Sequence, residues 1–326
     1  MDFLNADSLP WLKDAQQRLR TAHAARRLPH SLLLLAAPGL GAGQLANWIT
    51  ALALCESKSQ RPCGACASCQ LLRADSHPDS HVVRLEDDAQ QIKIDQIREL
   101  IESLALKSYR GGFKVGVIEG AESLNASSAN AFLKTLEEPT ADTVLIMVAR
   151  PNHRLPATVA SRCLRLTLRP PPPHVAVAWL QANSGSTQAW DAALSLAGGA
   201  PLLALELDAG VAALEADMRS SLKALADDAV DVTLLAERWI KSNPGLRITW
   251  LENWITRRVH DWIDAGTSGQ TAEPVGLPAA LLKAKMRALF KLLDAARDLK
   301  RLASTGMNQQ LALEALLLGG RSALKN

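Results

Sequence analysis

Four cysteines stand close together in the first quarter of this sequence: Cys55, Cys63, Cys66 and Cys69, in the pattern C-x7-C-x2-C-x2-C. Thiolates at such short intervals can close around one tetrahedral Zn²⁺, and Gly64 permits the tight turn among them. All four ligand positions carry sulfur, so no place is left for a reactive water and the site is expected to be structural. The competing reading, four unligated thiols on an exposed insert, fits poorly with a cytosolic protein. Cys163 stands apart and reads as a small buried residue.

A second group of residues could handle phosphate. The segment Ala36-Ala37-Pro38-Gly39-Leu40-Gly41-Ala42-Gly43 follows an apolar run and enters a helical pattern. That is the context of a phosphate-binding loop, where glycines let backbone N–H groups surround phosphates at a helix N-terminus. In the working pattern GxxxxGK[ST] the lysine neutralises β- and γ-phosphates and the hydroxyl holds Mg²⁺. Aligned on Gly41, those two positions are Ala42 and Gly43, and the first glycine is Ala36. Taken alone, such a loop is equally a tight strand-to-helix turn. Further on, the run Lys114–Glu119 ends in Glu119-Gly120, where an ATPase of this type carries two carboxylates, one for Mg²⁺ and one to polarise water. The losses converge on a non-catalytic copy of an ATPase fold, with ATP not hydrolysed by this chain.

The elements that would position these residues alternate. A helix is expected over 8–22, strands over 32–36, 81–85, 114–119, 143–149 and 164–168, and helices from the glycine loop to about Cys55, over 94–106 and over 126–137, the last stopped by Pro139. Alternation of this kind implies a parallel sheet covered by helices. Pro170–Pro173 cannot continue a sheet or a helix interior and marks a boundary. Beyond it only helical patterns occur: 174–183, 187–197 ending at Gly198-Gly199, 246–262 and 281–301, with 266–278 as a flexible loop. Ile248, Leu251, Ile255, Val259 and Trp262 recur at helical spacing, widened by Trp250 and Trp254. Leu282, Met286, Leu289, Phe290, Leu293 and Ala296 do the same. The tryptophans read as helix-packing core rather than a base-stacking surface. Lys283, Arg287, Lys291 and Arg301 form a stripe shared with Asp294 and Asp298, which suits solvent or a subunit better than a phosphate track.

Composition limits the function classes. A chain of 326 residues is long enough for two or three domains, and 48% hydrophobic with 21% charged residues is globular. Thirty-six basic against 33 acidic residues leave +3, too little to argue a nucleic-acid role from charge. The uncharged stretch from Leu28 to Cys55 is interrupted by Pro29, Pro38 and several glycines, so it reads as strand, turn and helix rather than a membrane span. The N-terminus MDFLNADSLPWLKD lacks a signal pattern, and a cytoplasmic location is expected.

Asn130-Ala131-Phe132-Leu133-Lys134-Thr135-Leu136-Glu137-Glu138-Pro139 resembles the helix signature of bacterial DNA polymerase III clamp-loader subunits. Ser161-Arg162-Cys163 resembles their Ser-Arg-Cys motif, and the four-cysteine insert their zinc module. Arg27–Ser31 and Gly306-Met307-Asn308 also fit. Within that family the gamma/tau subunits are active ATPases. The losses at Ala42, Gly43 and Gly120 are similar to those of the delta-prime subunits, a branch that does not hydrolyse ATP. The position matching the sensor-2 arginine is Leu202. The resemblance implies a RecA-like AAA+ domain over 1–167 with its zinc module at 55–72, a helical lid over 168–207 and a helical collar over 208–326. It implies a place beside gamma/tau and delta in a hetero-pentameric ring that loads the sliding clamp onto primed DNA, with DNA and clamp met through the complex. It also implies that Arg162 acts in trans on nucleotide bound by a neighbour. The alternatives are an active gamma/tau-type ATPase, a zinc-ribbon DNA-binding protein, and an Arg162 that only pairs with a core carboxylate.

Overall fold

Continuous apolar runs become the five strands of one parallel sheet: β1 (Ser31–Leu35), β2 (Ser80–Val83), β3 (Lys114–Glu119), β4 (Thr143–Ala149) and β5 (Leu164–Thr167), ordered β2-β3-β4-β1-β5. β1 lies between β4, with Ser31 opposite Leu145, and β5, with Leu32 opposite Leu164. Leu32, Leu33 and Leu34 are no more than 1% exposed, as a strand covered on both faces requires. The computed structural model describes the chain except residues 1–2, 87–88, 90, 152–154, 185–189, 208–209, 269–278, 303–307 and 325–326.

Helices α1 (Lys13–Ala24), α2 (Ala42–Leu54), α3 (Ala67–Arg73), α4 (Ile94–Ala105), α5 (Ala126–Glu137), α6 (Ala157–Ala160) and α7 (Pro173–Ser184) accompany the sheet. Leu33, Ile118, Leu145 and Met147 form one core with Ile97, Leu100 and Leu104 of α4 and Phe132 and Leu136 of α5. The alternate residues Leu32, Leu34, Val117 and Ile146 therefore face the other side, where α2 packs. Each fully buried leucine or isoleucine contributes about 2 kcal/mol. α5 starts where Asn125 Oδ1 accepts from Ser128 N at 2.8 Å and stops two residues before Pro139. The chain's first α-helix begins at Lys13 rather than at residue 8, because a 3₁₀ turn at Pro10–Leu12 intervenes. β2 ends at Val83, earlier than expected, where Arg84 turns away to meet Glu119.

Two compact units result, residues 1–186 with 200–203, and residues 187–199 with 204–326. Pro170–Pro173 end the sheet, but α7 stays with it: Trp179 Nε1 donates to Ser8 O at 2.8 Å, and its ring meets Trp11 edge-on. The remaining helices are α8 (Asp191–Leu196), α9 (Pro201–Glu206), α10 (Val211–Ala226), α11 (Val232–Lys241), α12 (Pro244–Ser268), α13 (Ala279–Leu302) and α14 (Gln309–Leu324). Ile248, Leu251, Ile255 and Val259 are buried as their spacing predicts, and so are Leu289, Leu293 and Ala296. Phe290, in contrast, is 45% exposed, since it lies off the stripe that Leu289 and Leu293 bury. Trp250 is buried and stacks on Trp254 with centroids 6.3 Å apart, which is packing rather than a free base platform.

α12 continues through Gly266 to Ser268, into the segment read as a loop. The rest of that loop, the start of the helix expected at 187, and Gly306-Met307 lie outside the described residues, as do the side chains of Trp262, Leu282, Lys283 and Arg301. Arg287, Lys291, Asp294 and Asp298 are exposed. Among the described residues no helix is long and apolar enough to cross a membrane.

Candidate functional site

The glycine loop adopts the backbone its sequence requires. Gly39 and Gly41 have φ of +79° and +86°, a region that side chains disfavour, and Gly41 caps α2. Yet the loop is covered. Leu202 N donates to Gly39 O at 3.2 Å, and a Cβ at Gly39 would fall 2.5 Å from Leu203 N. From below, Trp11 Nε1 donates to Leu40 O at 2.9 Å, and a Cβ at Gly41 would meet Leu9 at 2.8 Å. The backbone that opens α9 thus packs directly on the glycines, and Leu202, the residue matching the sensor-2 arginine, contributes its N–H there rather than a charge.

Glu119 ends β3 and is gripped by Arg84, whose Nε and Nη2 donate to the two carboxylate oxygens at 2.9 and 3.2 Å. That pair raises the Arg84 pKa and occupies the one carboxylate left at this strand end. Gly120 has φ +71° and open space where a side chain would stand. β4 separates β3 from β1, so Glu119 lies about 10 Å across the sheet from the end of β1.

Arg162 lies at the other edge of the sheet. It stands two residues before β5, and β5 runs parallel to β1 with Leu164 opposite Leu32, so Arg162 is level with the start of β1. The phosphate loop follows the end of β1, about 20 Å further along the strand direction. Arg162 Nε donates to Glu137 Oε1 at 2.6 Å, Nη2 pairs with the same carboxylate, and Nη1 donates to Thr158 O at 2.8 Å. Both partners are partly exposed, at 35% and 48%, so Glu137 is a surface carboxylate and not a core one. Ser161 bonds Thr158 O through its hydroxyl, and Cys163 is half-buried with its thiol on Val159 O; burial raises the Cys163 pKa to about 11.

The four cysteines come together. Their sulfurs all lie within 4.8 Å of one another, with Cys55 to Cys66 at 3.9 Å and Cys63 to Cys69 at 4.0 Å. A tetrahedral ion with Zn–S of about 2.3 Å needs sulfurs about 3.8 Å apart. Gly64 turns at φ +71°, and Cys66 caps α3 by accepting from Cys69 N. Backbone N–H groups of Ala65 and Cys66 lower the Cys63 pKa to about 6, whereas burial raises those of Cys55 and Cys69. Two buried thiols beside a ready thiolate are a donor set that a soft divalent cation satisfies, and these four cysteines could hold a metal ion. Glu56 ties the insert outward, accepting from Ser68 Oγ and from Arg110 Nε at 2.8 Å.

Comparison with known proteins places this constellation. The family described as DNA polymerase III, delta subunit, matches residues 11–172. The DNA polymerase III subunit delta' of Pseudomonas aeruginosa is 33% identical over 328 residues, 96% of this chain and 97% of that protein. This chain belongs to the DNA polymerase III delta' family. The delta' of Escherichia coli is 38% identical over 203 residues, 62% of this chain and 61% of its own. A solved gamma subunit-related protein from Thermotoga maritima superposes with a TM-score of 0.46 at 17% identity, over 94% of this chain and 99% of that one. The five-stranded parallel sheet with its helices and the helical remainder of the chain are the α/β arrangement that the alternation of elements in the sequence implied.

Three features of this delta' chain escaped the sequence. The cover of α9 over Gly39 joins residues more than 160 positions apart, and no local pattern announces it. The partner of Arg162 is Glu137, inside the helix signature, where the doubled Glu137-Glu138 was a visible but unread signal. Asp79, 4% exposed, accepts from Tyr109 N at 2.6 Å, Arg110 N at 3.0 Å and Ser108 Oγ at 3.1 Å. It fixes a loop that leaves Tyr109 83% exposed.

Proposed function

We infer that this delta' family member serves as a clamp-loader subunit within a DNA polymerase complex. We propose that it hydrolyses no ATP and instead supplies Arg162 to nucleotide bound by the adjacent gamma subunit. It would do so in a hetero-pentameric cytoplasmic ring with gamma/tau and delta that loads the sliding clamp onto primed DNA. The observation that carries this reading is the placement of Arg162: it lies level with the start of β1, at the strand end opposite its own phosphate loop, out of reach of any nucleotide that loop would hold. A planar guanidinium there stabilises charge spreading over a γ-phosphoryl group in the transition state. Ala42, Gly43 and Gly120 supply neither lysine, hydroxyl nor water-polarising carboxylate, and the cover over Gly39 supports the same conclusion.

Cys55, Cys63, Cys66 and Cys69 would hold one structural Zn²⁺, which when bound neutralises the buried thiolates and ties the insert together. The division into a AAA+ domain over 1–167, a lid over 168–207 and a collar over 208–326 is part of the same proposal. The test is a ring rebuilt from gamma/tau, delta and this chain. Arg162→Ala should assemble normally yet lower DNA- and clamp-stimulated ATP turnover, partially because only one site is affected. Equal turnover in fully assembled rings overturns the trans-acting role.

A further inference from the structure

At the sheet edge from which β1, β3 and β4 start lies a cleft of about 1020 Å³. Arg20, Arg26, Lys58 and Arg61 line it, with Asp142 the one acidic residue among the lining residues. The whole chain carries 36 basic and 33 acidic residues, so four to one is a local concentration and not a sample of the composition. α1 and the turn after it supply two of these cations, and the Cys55–Cys63 segment supplies the other two.

The guanidinium groups of Arg61 and Arg20 are fixed rather than trailing in solvent. Arg61 Nε donates to Ser57 O at 2.6 Å, and its Nη1 lies 3.4 Å from His23 Nε2. Burial and the Arg61 charge lower the His23 pKa, so that ring accepts rather than adding a competing donor. Arg20 Nε donates to Arg61 O at 3.3 Å, and its guanidinium lies 5.0 Å over the Trp48 ring. Arg20 Nη2 also pairs with Asp7 Oδ1 at 3.4 Å, whereas among the described residues no carboxylate pairs with Arg26 or Lys58.

Arg26 supplies an independent sign. It follows the C-terminal turn of α1, where Arg26 N donates to His23 O and Arg27 N to Ala22 O at 2.8 Å. That closure places one residue in the left-handed region, a position that favours glycine, and here Arg26 adopts it at φ +55°. A strained backbone that carries a cation into a cleft already lined by cations works against stability twice, through conformation and through repulsion. An anionic ligand offsets the second.

We propose that this cleft binds clustered phosphate groups. Phosphate carries the dense charge that converging cations require, and its oxygens suit the guanidinium and ammonium N–H groups that protein contacts leave unengaged. The volume is that of a small-ligand site, enough for a few linked phosphates and too small for a folded partner. The linked phosphates come either from a free oligophosphate or from the backbone of a nucleic-acid strand. The site is separate from the glycine loop, which follows the opposite ends of the strands.

The test uses the full chain at low salt with inorganic tripolyphosphate and, separately, a labelled oligo-dT strand, in wild type and in Arg26→Gly and Lys58→Ala. Arg26→Gly should leave the Tm of the free chain unchanged or higher, since glycine suits that backbone, while weakening phosphate binding about three- to fivefold. Lys58→Ala should weaken binding comparably with no change in Tm. Variant-sensitive binding of oligo-dT identifies a strand backbone as the source. Variant-sensitive binding of tripolyphosphate alone identifies a free oligophosphate. No binding of either probe, binding that both variants leave intact, or equally tight binding of a polyglutamate peptide overturns the proposal.

Discussion

Glu137→Gln should slow the neighbour's ATP hydrolysis although neither residue touches ATP in this chain. Glu137 Oε1 receives Arg162 Nε and Nη2 while Thr158 O receives Nη1, so all three nitrogens of the guanidinium are engaged. The pair is 35% and 48% exposed, which limits its contribution to folding to about 1 kcal/mol or less. A freed arginine side chain regains about 2 kcal/mol of rotamer entropy, which it must lose again at the transition state. Loosening of that size slows the step by up to about 30-fold at one site, against about 10³–10⁵ for deleting an arginine finger. The assay is a rebuilt ring whose other ATP sites are inactivated through their own phosphate-loop lysines. There kcat should fall and KM for ATP should hold, because the neighbour binds the ground state. On an Arg162→Ala background Glu137→Gln should add nothing. Wild-type kcat for Glu137→Gln alongside a slow Arg162→Ala would show that Glu137 is only a surface partner. Wild-type kcat for both would remove Arg162 from the reaction.

Cys66→Ser should abolish stoichiometric zinc, measured by elemental analysis of protein purified without chelator, while circular dichroism of the main sheet persists, because serine still caps α3. Zinc retained at wild-type content would contradict the four-sulfur site. The double substitution Ala42→Lys with Gly43→Thr should confer no Mg²⁺-dependent ATP turnover on the isolated chain. The backbone of Leu202 and Leu203 still covers Gly39 and no carboxylate stands at Gly120; measurable turnover would refute this. Arg247→Ala should cost about 2–3 kcal/mol in urea denaturation of the helical unit. Arg247 is 5% exposed, lies over the Trp239 ring and donates to Asp217 Oδ2 at 2.6 Å and to Ser242 O at 2.8 Å, so its loss removes that buried packing and leaves Asp217 with Arg238 alone. A change below about 0.5 kcal/mol would mean that water replaces it freely.

Much of the fold was legible because its signals are local. Lys114–Glu119, Ala126–Glu137 and Thr143–Ala149 occur with the very bounds that apolar runs, Asn125 and Pro139 imply. Elements whose ends depend on distant partners shifted: β2 stops where Arg84 reaches Glu119, and Phe290 turns outward although its type suggests core. The cysteine cluster was legible for the same reason as the helices, since three of its four sulfurs fall within seven residues and a turn at Gly64 helps to gather them.

By itself the sequence determined what this chain lacks and what it can ligate. Residue identity alone puts alanine and glycine at 42, 43 and 120, where the proposed reading needs no lysine, hydroxyl or second carboxylate, and residue spacing alone suggests that four sulfurs gather. Only the tertiary structure decided where the remaining charges act. Parallel pairing of β5 with β1 sends Arg162 to the strand end opposite Gly39, the start of α9 covers Gly39, and Glu137 meets Arg162 from 25 positions away. The Arg20, Arg26, Lys58 and Arg61 cleft likewise exists only because α1, the cysteine insert and the starts of three strands converge. Local patterns report backbone preference and burial. Charge placement follows from strand register and helix docking, which sum many weak contacts between residues far apart in the chain.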